Sequence, residues 1–549
     1  MLGLMRPVRF ASSFTATALL LLLAACSPEE REFSTDASSS AAGGAGGGAG
    51  GSGGGEAACA AGETMPCYTG PKGTQDIGLC KGGLQTCLPD QTGFGPCEDE
   101  VVPAAENCAD PADEDCDATP DCGDAIWSKG AGDPMLQRGS AIAADNDGNV
   151  IVVGTFAGTL DFGKDVHTSA GSDDIFVAKL GLDGGTLWSR RFGGPSIDLV
   201  TSVAVTPSGD ILVSGTFQGT VDFGNGPLVS EGSTDIFLVK LGSGGVTLWS
   251  KRFGDAATQT PSVVTVDPAG HVILAGGLYG AANFGLGLLT SAGGTDVFVA
   301  KFTPMGMPLW AKHFGDPLSQ AASSVATDAI GNIVLGGTNG GVVDFGGGPI
   351  STAGSSDIFI AKLDAGGGTH VWSKGFGDPS LQAFFGLGVD PEGNVAFGGR
   401  YAGVVDFGGG PLEPAGNENF YVAKLSPAGE PIFSRAFVTD FTKQTGSFAV
   451  DGAGNLLMTG YISGTADLGF GPVTSKLPFD MFAMKLDPAG ASLWARVFGE
   501  DADQAGRAVA ADPKGHVLVT GTNEGSIDFG EGPIVSAGSL DVFVAKLAP

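Results

Sequence analysis

Trp188-Ser189-Arg190-Arg191-Phe192-Gly193 and Trp249-Ser250-Lys251-Arg252-Phe253-Gly254 open two copies of one unit, and the residues between them contain the whole of it. A loop follows the Phe-Gly pair. A short run of β-formers comes next, Ser202-Val203-Ala204-Val205, then the turn Thr206-Pro207-Ser208-Gly209-Asp210. Beyond it lie Ile211-Leu212-Val213-Ser214-Gly215-Thr216-Phe217, an Asp222-Phe223-Gly224 segment, and Asp235-Ile236-Phe237-Leu238-Val239-Lys240-Leu241. Runs of β-branched and aromatic residues separated by Gly, Pro, Asp and Asn read as strands. With the Trp strand, each unit holds four.

The tryptophans count the copies. Trp127, Trp188, Trp249, Trp310 and Trp372 are spaced by 61, 61, 61 and 62 residues, and Phe433 divides the interval to Trp494 into two steps of 61. Seven units result. One four-stranded sheet cannot bury both faces, but sheets stacked radially around an axis cover one another. This predicts an all-β chain: a seven-bladed β-propeller of four-stranded blades. Apolar side chains on both faces of Ile236-Phe237-Leu238-Val239 fit a sheet sandwiched between two others. The array begins on a Trp strand, Ile126-Trp127-Ser128-Lys129, and ends on a third strand, Asp541 to Leu547. The spare N-terminal strand is therefore expected to complete the last blade as its outer strand and close the ring. Hairpin turns such as Asp145-Asn146-Asp147-Gly148-Asn149 carry the residues that such turns need.

These motifs resemble the bacterial β-propeller repeat of exported proteins (the SBBP type), with its Asp-x-x-Gly-Asn turn, Thr-Gly-Thr-Phe strand end, Asp-Phe-Gly segment and Asp-Ile-Phe-Val-Ala-Lys-Leu strand. The resemblance spans all seven units and implies the fold; it implies no activity. The unit opening on Phe433 departs most, with Phe437-Val438 for Phe-Gly and Asp467-Leu468-Gly469 for Asp-Phe-Gly.

The N-terminal region reads differently. Residues 1–25 form a signal peptide: Arg6 and Arg9 precede a mostly apolar run, and Leu23-Ala24-Ala25-Cys26 closes it. That end resembles the lipobox of bacterial lipoproteins, which implies lipidation at Cys26 and a lipid-mediated membrane attachment in the cell envelope, at the outer membrane or cell surface. Residues 26–55 read as a Gly/Ser/Ala-rich flexible tether. Residues 56–124 hold Cys59, Cys67, Cys80, Cys87, Cys97, Cys108, Cys116 and Cys122, and residues 125–549 hold no cysteine. An even number in an exported segment reads as a disulfide framework with open connectivity; a zinc site is the alternative, though no Cys-x-x-Cys pair is present. Glu106-Asn107-Cys108 followed by Asp113, Asp115, Cys116 and Asp117 resembles a metal-binding motif of exported bacterial proteins. That resemblance implies Ca²⁺ at Asp113, Asp115 and Asp117, against a plain acidic loop, and Ala118 stands where the motif has Gly.

The chain carries 28 basic and 60 acidic residues, a net charge of −32. Nucleic-acid binding, which needs clustered Lys and Arg, is excluded as an expectation. The five histidines are scattered, no His-Glu-x-x-His or Walker-type loop occurs, and no catalytic set or cofactor site can be assigned. Polar residues recurring in every unit, such as Lys179, Lys240 and their five counterparts, read as scaffold. The loop after the Trp strand carries Gln137, Asp198, Gln259, Gln320, Gln382, Gln444 and Gln504. These either rim a central channel or tie the loop down. The expected function is a monomeric, lipid-anchored binding or interaction scaffold for a protein or glycan, not an enzyme. Turns such as Asp183 to Trp188 also resemble those of quinone-dependent dehydrogenase propellers, and lipoprotein propellers that assist outer-membrane assembly supply a third reading. An asymmetric polar cluster with a basic residue at the channel mouth would favour the enzyme; a bare, regular channel would favour binding or scaffolding.

Overall fold

Each blade begins with a hairpin whose turn the sequence dictates. In the computed structural model, which describes residues 59–103, 116, 122–416, 418–439, 446–476 and 479–549, Asp145 Oδ1 accepts the amides of Asp147 (3.0 Å) and Asn149 (2.9 Å). Gly148 sits at φ 81°, a conformation that a side chain would strain. The carboxylate caps the turn and the glycine reverses the chain.

Seven four-stranded antiparallel sheets follow. Blade 1 runs Gln137–Ala144, Val150–Phe156, Asp174–Leu180 and Thr186–Phe192, from innermost to outermost. Blade 2 repeats it as Asp198–Val205, Ile211–Phe217, Asp235–Leu241 and Thr247–Phe253. Blade 7 takes Gln504–Ala511, Val517–Asn523 and Asp541–Leu547 from the C-terminus and Ala125–Ala131 from the start of the array. Trp127 pairs with Lys546 there, so the ring closes as the strand count predicts.

The core lies between blades. Every residue of the second and third strands of blades 1 and 2 is buried. Seven apolar clusters each combine residues of two neighbouring blades; one joins Trp127 and Val544 of blade 7 to Val152 and Phe176 of blade 1. The Trp ladder is the outer fastening of these layers. Trp188 of blade 1 donates its indole N–H to the Ser243 carbonyl of blade 2 at 3.0 Å. Its ring packs on Gly245 so closely that a Cβ there would stand 2.9 Å from it. Trp127 makes the same bond to Leu182 at 2.8 Å. Truncating such a side chain to Ala costs about 3–5 kcal/mol. Phe433 packs on Gly490 in the same manner, without the indole donor.

The Cys-rich segment is a small hairpin, Thr64–Cys67 with Gly83–Thr86, stapled by Cys59–Cys87, Cys67–Cys97 and Cys80–Cys116. Cys122 is also disulfide-bonded. Loops of 28, 30 and 36 residues are closed, each restricting the unfolded chain by an amount worth roughly 3 kcal/mol. These sulfurs are paired with one another, as a disulfide framework requires. Cys26, Cys108, Asp113, Asp115, Asp117 and Gln444 lie outside the described residues. So does part of the irregular blade; its inner strand is Gly446–Val450, five residues against eight in blade 1.

Candidate functional site

The repeated lysines are structural. Lys179 meets Asp145 at 2.7 Å, Lys301 meets Asp267 at 2.9 Å, and Lys546 meets Asp512 at 2.7 Å, all pairs being buried. Where Thr206 replaces the turn Asp in blade 2, Lys240 turns to Asp210 at 2.9 Å. The same ammonium groups cross to the next blade: Lys301 donates to the Ala365 carbonyl and Lys424 to the Pro488 carbonyl, each at 2.8 Å. Burial opposes ionisation of Asp145, but hydrogen bonds from Asn149 and Lys179 outweigh it and hold the carboxyl below its ordinary range. Removing one member of such a pair strands a buried charge, a cost of about 3–5 kcal/mol. His271 and His516 replace the turn Asn and bond Asp267 and Asp512 at 2.9 and 2.7 Å.

The loop residues Gln137, Gln259, Gln320, Gln382 and Gln504 are buried. Gln137 Nε2 donates to Asp133 (2.7 Å) and to the Ala157 carbonyl (3.0 Å). Gln259, Gln320 and Gln382 bond Asp255, Asp316 and Asp378 in the same way. Gln504 reaches the Asp501 and Glu524 carbonyls. Their amide donors are spent within their own loops and, for Gln137, Gln259, Gln382 and Gln504, on the connection that follows the second strand. Asp198, in the same position of blade 2, is different. It is fully buried and accepts the Gly194 amide at 2.7 Å. Burial, with the nearby Asp174 adding to it, pushes its carboxyl up to about 6.

The channel is not uniform along its length. At one mouth the hairpin turns form a funnel of about 530 Å³, walled by Val205, Val266, Val389 and Val450 and by the turn Asp and Pro residues. The Asp267, Asp328, Asp390 and Asp451 carboxylates there are neutralised by the blade lysines. Deeper in lies a second cavity of about 240 Å³, lined by Arg138, Ser140, Val200, Thr201, Gly446 and Arg507.

The backbone explains why this part breaks the ring's symmetry. In blades 1, 2, 4, 5 and 7 the inner strand carries a β-bulge that leaves one residue unpaired: Ser140, Thr201, Ser323, Phe385 and Arg507. Such bulges re-aim a side chain. Most units place a small hydroxyl at this position; blade 7 places a guanidinium. Arg138, early in the adjoining strand of blade 1, faces it. Neither arginine makes an ion pair or donates a hydrogen bond among the described residues, and Arg138 Nε is buried without a partner. Arg507 is exposed to solvent and Arg138 is half-buried; partial desolvation first, and the facing Arg138 second, push the Arg507 guanidinium below its ordinary range, with Tyr461 opposing. Arg400, Arg191 and Arg252, by contrast, each have a carboxylate partner. The repeat itself held the signal for this pair: Arg507 stands where blades 1, 2 and 4 have Ser or Thr.

Among the described residues no group of three or more His, Cys, Asp or Glu side chains is arranged to hold a metal ion. No described helix is long and apolar enough to cross a membrane.

No protein-family model matches the chain. An uncharacterized WD repeat-containing protein of Acanthamoeba polyphaga mimivirus is 22% identical over 77% of this chain and 38% of its own length. Among solved structures, the WD40 β-propeller domain of Doa1 matches 76% of this chain and 96% of its own at a TM-score of 0.37 and 11% identity. The quinohemoprotein alcohol dehydrogenase of Comamonas testosteroni matches 77% and 76% at a TM-score of 0.36 and 12% identity. The chain thus spans well under half the length of the curated relative that it resembles.

Proposed function

We propose that the protein is an exported, lipid-anchored binding scaffold that presents a rigid propeller to a protein or glycan partner at the cell envelope. One observation carries the scaffold reading: the repeated polar groups of the blades are consumed in holding blades and loops together. Binding surfaces are then left to the channel and to the loops, where the units differ. The disulfides support an oxidising compartment, and the Leu-Ala-Ala-Cys26 sequence supports the lipid. The WD repeat-containing relative is compatible with a propeller that works by binding.

The asymmetric arginine pair bears on the rival reading, a quinone-dependent enzyme. That cluster supplies cations. Its asymmetry is the kind of feature the enzyme reading asks for, but its described lining offers no carboxylate, imidazole or thiol to move a proton, and we therefore read it as holding a ligand. The test is direct: immobilise the purified chain, challenge it with envelope proteins, peptidoglycan fragments and glycans, and assay dye-linked alcohol oxidation with added quinone cofactor. Saturable binding of one class without turnover is expected. Cofactor-dependent turnover would overturn the reading. Mass spectrometry of the N-terminus from the native host should find diacylglycerol on Cys26, and an unmodified Cys26 would remove the anchor.

A further inference from the structure

The geometry points to an anion-binding site inside the propeller channel, built by Arg138 of blade 1 and Arg507 of blade 7, for a small molecule bearing a carboxylate or phosphate group. It rests on the reading of the wheel as a binding protein and names a ligand class for its interior.

Three observations converge. First, two guanidinium groups share one cavity with no carboxylate among the described residues that line it, in a chain whose acidic residues outnumber the basic ones 60 to 28. A protein so rich in carboxylates could neutralise them easily, and does so for its buried lysines. Second, Arg138 Nε is buried and has no partner among the described residues. A donor withheld from solvent and left unused costs stability unless a ligand uses it. Third, the fold spends local regularity on the placement: a bulge lifts Arg507 out of the strand pairing, at a position where blades 1 and 2 carry the hydroxyls of Ser140 and Thr201.

Guanidinium groups bind carboxylate and phosphate through paired N–H donors, and adjacent hydroxyls suit the remaining oxygens. The 240 Å³ cavity admits a small metabolite but no folded partner. Val200 and Gly446 cover part of the cavity while Arg507 stays open to solvent, so the attraction should weaken with added salt. The like-charge approach that lowers the proton affinity of Arg507 would be relieved by a bound anion.

Calorimetric titration of the full chain at low ionic strength, with inorganic phosphate in one arm and succinate in the other, tests the site. One equivalent of at least one anion should bind saturably, and the better arm identifies the group. Arg138→Gln and Arg507→Gln should each weaken binding at least tenfold, and the double variant should abolish it. Lys476→Gln, which removes a surface ion pair with Glu500, should leave it unchanged. Melting without anion separates ligand binding from structure: the double variant should melt at the same or a higher temperature, because it removes a repulsion. No saturable heat with either anion, retained binding in the double variant, or a lower melting temperature of that variant would each overturn the proposal. The surface-partner screen has its own readout, so its outcome and this one are distinguishable.

Discussion

The turn joining the third and outer strands of blade 1 is continuous chain; in blade 7 the same place is a break between the two ends of the array. In blade 1 the Gly181 amide bonds the Gly185 carbonyl at 2.7 Å and the Gly184 amide bonds the Gly181 carbonyl at 3.1 Å. In blade 7 the Ala548 amide bonds Asp124 at 2.8 Å and the Gly123 amide bonds Ala548 at 3.3 Å. Gly123, at φ 80°, lies under Trp494 as Gly184, at φ 75°, lies under Trp127. The seam thus reproduces a covalent hairpin bond for bond. Among the described residues it lacks the indole hydrogen bond: Trp494 Nε1 is buried with no partner there, as is Trp310 Nε1. Closure therefore depends on the contacts of a turn and not on its connectivity, provided the two ends arrive together.

Removing the ring-closing strand is the strongest way to break that equivalence. Deletion of Ala125–Ala131 exposes the edge of Asp541–Leu547 and removes Trp127 from the interface with blade 1. A fall in Tm of roughly 10 °C is expected, and an unchanged melt would show that the strand does not latch the ring. Smaller, and a sharper comparison, is Gly245→Ala against Gly123→Ala. Both place a Cβ against an indole, 2.9 and 2.8 Å away, and both strain a left-handed backbone. In the continuous turn about 2–4 kcal/mol should be lost. At the seam the turn is not covalently closed, so it can yield and the loss should be smaller by denaturant titration. Equal losses would mean that the seam is as rigid as chain.

Two departures from the repeat sharpen the comparison between blades. Asp198→Gln restores the usual loop residue. The folded carboxyl titrates near 6 against an ordinary 3.8, so its ionisation opposes folding. That cost is absent below about pH 4, grows as pH rises toward 6 and is complete above it. The variant should melt about 2 °C above the wild type at pH 7.5, with the gap narrowing at pH 4; a gap independent of pH would dismiss the carboxyl as its cause. Phe433→Trp supplies the missing rung. Its indole should reach the Pro488 carbonyl, as Trp372 reaches Pro427 at 3.0 Å, adding about 1 kcal/mol. A destabilised variant would show that this blade has repacked around phenylalanine.

Fold and ring closure were legible because they depend on local, repeated chemistry: an Asp and a Gly per hairpin, a Trp per outer strand, and one strand too many at the N-terminus. The arginine pair was not legible in the same way. Arg138 and Arg507 stand near opposite ends of the array and meet only once the ring is shut. Arg507 also points inward through a bulge that strand alternation does not predict. Gln137 and its counterparts mark the converse limit. Their spacing puts them in the loops entering the inner strands, but their burial among loop carbonyls and carboxylates depends on the folded ring.

The ring-closing strand has a mechanical consequence. It is the first strand of the array, and the disulfide-bonded Cys122 packs into the apolar layer between blades 6 and 7 just ahead of it. Any tension applied through the N-terminal end is therefore borne by Cys122 and by the hydrogen bonds between Ala125–Ala131 and Asp541–Leu547 before a continuous blade feels load. The wheel's first yield point is its own clasp, and a chain held by its leading end would open there and could close again with every other blade intact.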